Sequence, residues 1–147
     1  MTAQDAYHSV LRDVVAPALR EMGFKGSGKL YRLDDEKCWV RLGFQSSVSN
    51  SAARVKFTVN LLVADKDAWT GSRDEKHYLP EVPSPNISYG QPFWWERIGA
   101  LMPSGRDHWW TITDPLVASN VALEVVAAVR KFALPALIAQ RDATSGS

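Results

Sequence analysis

The alternation of apolar and polar positions is clearest between residues 37 and 65, where KCWVRLGFQ, the polar stretch SSVSNSAA and RVKFTVNLLVAD follow one another. Two period-two runs around a small polar loop predict an antiparallel hairpin. Cys38, Val40, Leu42 and Phe44 share one face of the first strand, and Val55, Phe57, Val59, Leu61 and Val63 share one face of the second. The opposite faces carry Trp39, Arg41, Gln45, Lys56, Thr58 and Asn60. An apolar sheet face needs a cover. Residues 3–22 supply one, with Tyr7, Val10, Leu11, Val14, Val15, Ala18 and Met22 at helical spacing. Pro17 predicts a kink or a broken last turn, and Gly23 a stop.

Beyond these, residues 29–33 read as a short strand and 34–36 as an acidic turn. Residues 66–91 show no period and hold Pro80, Pro83 and Pro85, with Pro92 just after. That predicts a long irregular excursion with at most one helical turn near 68–75. Residues 93–101 read as extended, 103–106 as a turn and 108–113 as a strand. Asp114 and Pro115 are an N-cap and first-position pair. They open a helix to about residue 133, with Leu116, Val121, Val125, Val129 and Phe132 as buried candidates. A break before Pro135 follows, then a short turn with Leu137 and Ile138. The expected architecture is α+β: an antiparallel sheet of four to five strands with the N-terminal and C-terminal helices packed on one face. Residues 1–140 form a single domain in this reading, and 141–147 a disordered tail.

The ordered pieces PALREMGFKGSGKLYR, WVRLGFQ…FTVNLLV, RIGALMPSGRDHWW and FALP resemble a bacterial family known as domain of unknown function 4304. The resemblance spans roughly residues 11 to 137. It implies a small α+β domain and brings no activity, cofactor or catalytic residue with it, because glycines, prolines and aromatics dominate the shared pieces.

Composition changes this picture little. A chain of 147 residues is long enough for a sizeable core. A net charge of +1 gives no bulk electrostatic pull toward nucleic acid or anionic membranes, and the partner is left unknown, with another protein as one open class. No apolar run is long enough for a membrane span and no secretory signal is visible, so a bacterial, cytoplasmic protein is expected. A single cysteine, Cys38, fits a reducing compartment and excludes an internal disulfide framework.

Candidate chemistry is sparse. GFKGSGKL stops one residue short of a phosphate-binding loop, with Leu30 in the place of the metal-ligating hydroxyl. Its order is helix then strand, the reverse of what such a loop needs, so a glycine turn is the better account. Asp107 and His108 are adjacent on an expected strand and point to opposite faces, which places them poorly to act on each other, so a turn-capping Asp and an ordinary His is the better account. His8, His77 and His108 lack the short spacings of a zinc site, and Cys38 falls on the apolar face. No metal, cofactor or catalytic residue is expected.

The six tryptophans are more informative. Trp110 and Ile112 make the better core pair, which turns Trp109 outward. Trp39, Arg41, Gln45, Asn60, Trp95, Arg97 and Trp109 then share the outer face, a surface able to stack a flat ring or grip a carboxylate. The competing account is that the 66–92 stretch covers this face and its acids, Asp74, Glu75 and Glu81, pair with the arginines. The absence of a catalytic constellation puts a non-catalytic protein-interaction module, immunity-like or adaptor, first. A small-ligand or nucleotide-binding domain using the outer face stands as the alternative. A hydrolase or nuclease whose site assembles only in the fold stands third.

Overall fold

The computed structural model describes residues 1–146. The first helical layer is α1 (Ala3–Val10), a π-turn (Leu11–Val15) and α2 (Ala16–Glu21). Thr2 and Asp5 form a reciprocal capping box at its start. Pro17 neither breaks nor ends this helix. In the π-turn the Ala16 N–H reaches back to the Leu11 carbonyl, and Pro17 falls in the first turn of α2, where its missing N–H is tolerated.

Among the described residues the sheet has six strands: β1 (Lys25–Ser27), β2 (Leu30–Leu33), β3 (Cys38–Ser46), β4 (Val55–Asp65), β5 (Trp94–Arg97) and β6 (Trp110–Ile112). All pairings are antiparallel, in the order β1-β2-β3-β4-β5. The long strand β4 has room for two partners on one edge, β5 opposite Asn60–Val63 and β6 opposite Val55–Phe57. The hairpin register sets Val40 against Val63, Leu42 against Leu61 and Phe44 against Val59, so the expected apolar row is continuous across both strands.

The C-terminal layer is a short 3-10 turn (Pro115–Val117), α4 (Ala118–Ala128), a second π-turn (Val129–Ala133) and α5 (Leu134–Ser145). The expected break before Pro135 is absent. Here too a π-turn precedes the proline, with the Leu134 N–H reaching the Val129 carbonyl, and Pro135 sits in the first turn of α5. Residues 141–145, expected as a disordered tail, continue α5. Its packing on β3 and β4 carries them, with the Ser145 Oγ 3.5 Å from the Cys38 Sγ and Arg141 facing Asp35. Ser147 lies outside the described residues. Leu116 belongs to the 3-10 turn rather than to the helix, and it is exposed rather than buried.

Both helical layers pack on the apolar sheet face, where Tyr7, Leu19, Phe44, Phe57, Leu61, Ile112, Val125 and Leu137 are among the buried side chains of one core. The other face is built differently from the sequence reading. Residues 66–75 form a full helix, α3 (Lys66–Glu75), capped by the Asp65 carboxylate, which accepts from the Ala68 N–H. Trp69 of α3 joins Leu62, Ala64 and Phe93 in a second, smaller core on that face. In β4 the apolar pattern is therefore two-sided from Leu61 to Ala64. A strand with cover on both faces reads as a continuous apolar run rather than an alternation.

Candidate functional site

The outer face divides into a covered half and an open half. At the covered half, residues 83–86 lie directly on the sheet. The Arg41 Nη1 donates to the Pro83 carbonyl at 2.9 Å, and the Trp95 indole N–H donates to the Pro85 carbonyl at 2.8 Å. Gly43 is what permits this approach. A Cβ there would stand 2.6 Å from the Asn86 Oδ1 and 2.7 Å from the Pro85 Cγ, inside van der Waals contact. Trp39 packs against the second core, with the Lys66 ammonium 4.7 Å from its ring centre. Burial, and next the nearby Arg32 charge, lower the Arg41 pKa.

At the open half, Gln45, Asn60, Arg97 and Trp109 meet in one network. The Arg97 Nε donates to the Asn60 Oδ1 at 3.0 Å, its Nη2 to the Gln45 Oε1 at 3.1 Å and its Nη1 to the Asp107 Oδ2 at 3.4 Å. The Asn60 amide, fully buried, donates to Gln45 at 2.7 Å and to Asn86 at 3.0 Å. The Trp109 indole N–H donates to the same Asp107 oxygen at 2.8 Å. The guanidinium lies 5.7 Å from the Trp95 ring centre and 5.1 Å from that of Trp109, within cation–π range.

Of the seven outer-face residues singled out in the sequence, Gln45, Asn60, Arg97 and Trp109 come together in the network, and Trp95 borders it from the covered half with its ring 5.7 Å from the guanidinium. Trp39 and Arg41 go to the covered half. The acid that pairs with Arg97 is Asp107, not Asp74, Glu75 or Glu81 of the excursion. A tight turn after β5 (Ile98–Leu101) decides this. Gly99 there sits so close to the Arg106 carbonyl and the His108 N–H that a side chain would collide with both. The chain therefore doubles back within ten residues and brings Asp107 to Arg97. Trp110 and Ile112 are buried inward and Trp109 faces outward, as their alternation predicts. His108 stacks edge-on against Trp110 at 4.7 Å, away from Asp107's carboxylate contacts. Cys38 is buried on the helix-covered face. Among the described residues, no group of three or more His, Cys, Asp or Glu side chains is placed to hold a metal, and no helix is long and apolar enough to cross a membrane.

The feature that sequence reasoning missed is a groove of about 440 Å³ on the outer face, between α3 and the 76–93 stretch. Trp69, Tyr89 and Phe93 form its wall in edge-to-face contacts of 4.8 and 5.3 Å. The wall is rigid. The Trp69 indole N–H donates to the Pro80 and Glu81 carbonyls, and the Tyr89 hydroxyl accepts from the Ser84 N–H. At the rim, Tyr78 is 80% exposed and Ile87 51%. The signal was present as Trp69, Tyr78, Tyr89 and Phe93 in a stretch with no period, since large aromatics in an apparent loop must pack somewhere or lie exposed.

A family model described as domain of unknown function (DUF4304) matches residues 15–139. No curated protein and no solved structure matches the chain.

Proposed function

This chain belongs to the domain of unknown function family DUF4304, a membership that assigns no activity, and we propose from its outer face that it is a non-catalytic protein-interaction module that receives a short apolar segment of a partner in the groove between α3 and the 76–93 stretch. The carrying observation is the pair of large apolar side chains, Tyr78 and Ile87, held in solvent at the rim of an aromatic-walled concavity. Apolar surface left exposed around a preformed pocket, rich in Tyr, Trp and Phe, is the anatomy of an interface centre. Lys76 also lines the groove. Its ammonium suits an acidic residue beside the anchoring side chain. We place this module in the bacterial cytoplasm, a reading that its single buried thiol supports.

Panning a displayed peptide library against the whole chain tests the proposal. The expected peptides carry an aromatic or aliphatic anchor next to an acid, and they bind Tyr78→Ala and Ile87→Glu at least tenfold more weakly than wild type. Peptides that bind the variants and the wild type alike would overturn it.

A second reading, a small carboxylate ligand at the open half of the outer face, is supported by the position of the Arg97 guanidinium between Trp95 and Trp109. Such a ligand would have to take the place of Asp107. Acetate or benzoate binding that strengthens in Asp107→Asn supports it, and no binding to that variant sinks it.

A further inference from the structure

Between the first helical layer and the β1–β2 turn lies a cavity of about 370 Å³, and His8, Arg12, Arg20 and Lys29 line it. It is independent of the groove on the outer face. Helical spacing puts His8, Arg12 and Arg20 on one side of the layer, and the glycine turn GSGK, set aside above as a phosphate-binding loop, closes the other side with Lys29. No carboxylate is among the lining residues.

The cations are held in place but remain available. The Arg20 Nε and Nη2 donate to the Gly26 carbonyl at 3.2 and 3.0 Å, which fixes the guanidinium on the turn and leaves its Nη1 donors uncommitted. Arg12 pairs with its neighbour Asp13, where both side chains are well exposed. Such a pair exchanges readily for a better anion. Lys29 stands 5.6 Å over the Tyr7 ring and forms no ion pair among the described residues. The floor is apolar, from the buried Leu11 and Ala16. Next to this cluster the Tyr31 hydroxyl is buried and lacks a hydrogen-bond partner. Arg20 is near enough for its charge to oppose the upward push of burial on that phenol's pKa.

Three cationic groups around one cavity, with no acid in the lining, call for an anion. Donors arriving from three separate side chains suit a phosphoryl group, which offers three terminal oxygens, better than a carboxylate, which offers two. The Leu11 and Ala16 floor suits an apolar body attached to it. We infer that this cavity binds a small phosphomonoester, its phosphoryl oxygens held by Arg12, Arg20 and Lys29 and its organic part lying on Leu11 and Ala16.

Isothermal titration of the full chain with phenyl phosphate, and separately with inorganic phosphate, tests this. The expected result is saturable one-to-one binding of the ester, weaker binding of inorganic phosphate, and an ester affinity at least about tenfold lower in Lys29→Gln and in Arg12→Gln, the loss of one charge-assisted contact. Unfolding midpoints serve as the control, and Arg12→Gln, on the exposed side of its helix, carries the test should Lys29→Gln fold poorly. Non-saturating heats, equal affinity for ester and inorganic phosphate, or unchanged affinity in the variants would each overturn the inference. So would sedimentation with phosphatidylserine vesicles by a chain that ignores the free ester.

Discussion

A single residue's face decides its energetic weight. Phe57 is 2% exposed, between Tyr7 at 4.7 Å and Trp110 at 6.0 Å, while its neighbour Lys56 points out to the Trp109 ring. Phe57→Ala is expected to cost about 3–5 kcal/mol and Lys56→Ala less than about 1. Urea midpoints check this, and equal shifts would mean that the register of β4 is misassigned. Arg97 shows the polar counterpart. Its removal leaves the buried Asn60 carbonyl oxygen short of a donor and Asp107 without its cation. Arg97→Met should therefore lower stability by about 1–3 kcal/mol, the cost of an unsatisfied buried acceptor. A midpoint identical to wild type would show that the network contributes nothing to folding and would return Arg97 to the ligand reading. The outward face of Arg97 was legible from alternation. Its partner was not, because a turn of a few residues, and no periodic pattern, selects Asp107.

At the scale of elements, prolines and chain ends were where local propensity misled. Pro17 and Pro135 look like helix stops, yet each follows a π-turn and falls in a first turn that needs no N–H. The layer continues because its buried face, Leu11, Val15 and Leu19 in one case and Val129, Ala133 and Leu137 in the other, sits in the one core that the sheet and both helical layers share. The same docking extends α5 past residue 140. Deleting residues 141–147 removes the contacts of Arg141 with Asp35 and of Ser145 with Cys38. It should lower the melting temperature by roughly 2–4 °C, the equivalent of about 1 kcal/mol in a domain of this size. Differential scanning calorimetry of the truncated chain reads it out directly, and an unchanged transition would show that the last turn of α5 does not dock. The sequence pattern predicts only a single turn where helix α3 forms, for a related reason. Its one buried anchor is Trp69, too little for a periodic signal.

For the whole molecule, stability is bounded on the alkaline side by its buried phenols. Burial pushes the Tyr7 pKa up to about 12 and raises that of Tyr31, against about 10 in an unfolded chain. The folded state then keeps protons that the unfolded state has released. Stability is fully present below about pH 10 and falls as pH rises toward 12. Tyr7→Phe should flatten that decline in thermal melts taken from pH 9 to 12, and an unaltered slope would assign it to other groups. On the acid side, Asp5, Asp13 and Asp34 have lowered pKa values from bonds to Thr2, to Arg12, and to Lys25 and Arg32. Their contribution is present at neutral pH and fades below about pH 4 as they protonate; each is exposed, so the change is small. The pairing register came from the structure, but the sequence by itself determined the hairpin, the face each of its residues takes, its apolar row, the two helical layers that cover it and the outward turn of Trp109. Those features follow from periodicity over neighbouring residues, and a local pattern carries them. Only the tertiary structure decided which half of the outer face is covered, that Asp107 answers Arg97, that α3 and the 76–93 stretch build a groove, and that Arg12, Arg20 and Lys29 face one cavity. Each of these joins segments with no shared period, through single close approaches such as Gly43 against Asn86 and Gly99 against the Arg106 carbonyl, and no count of apolar and polar positions along the chain encodes such contacts.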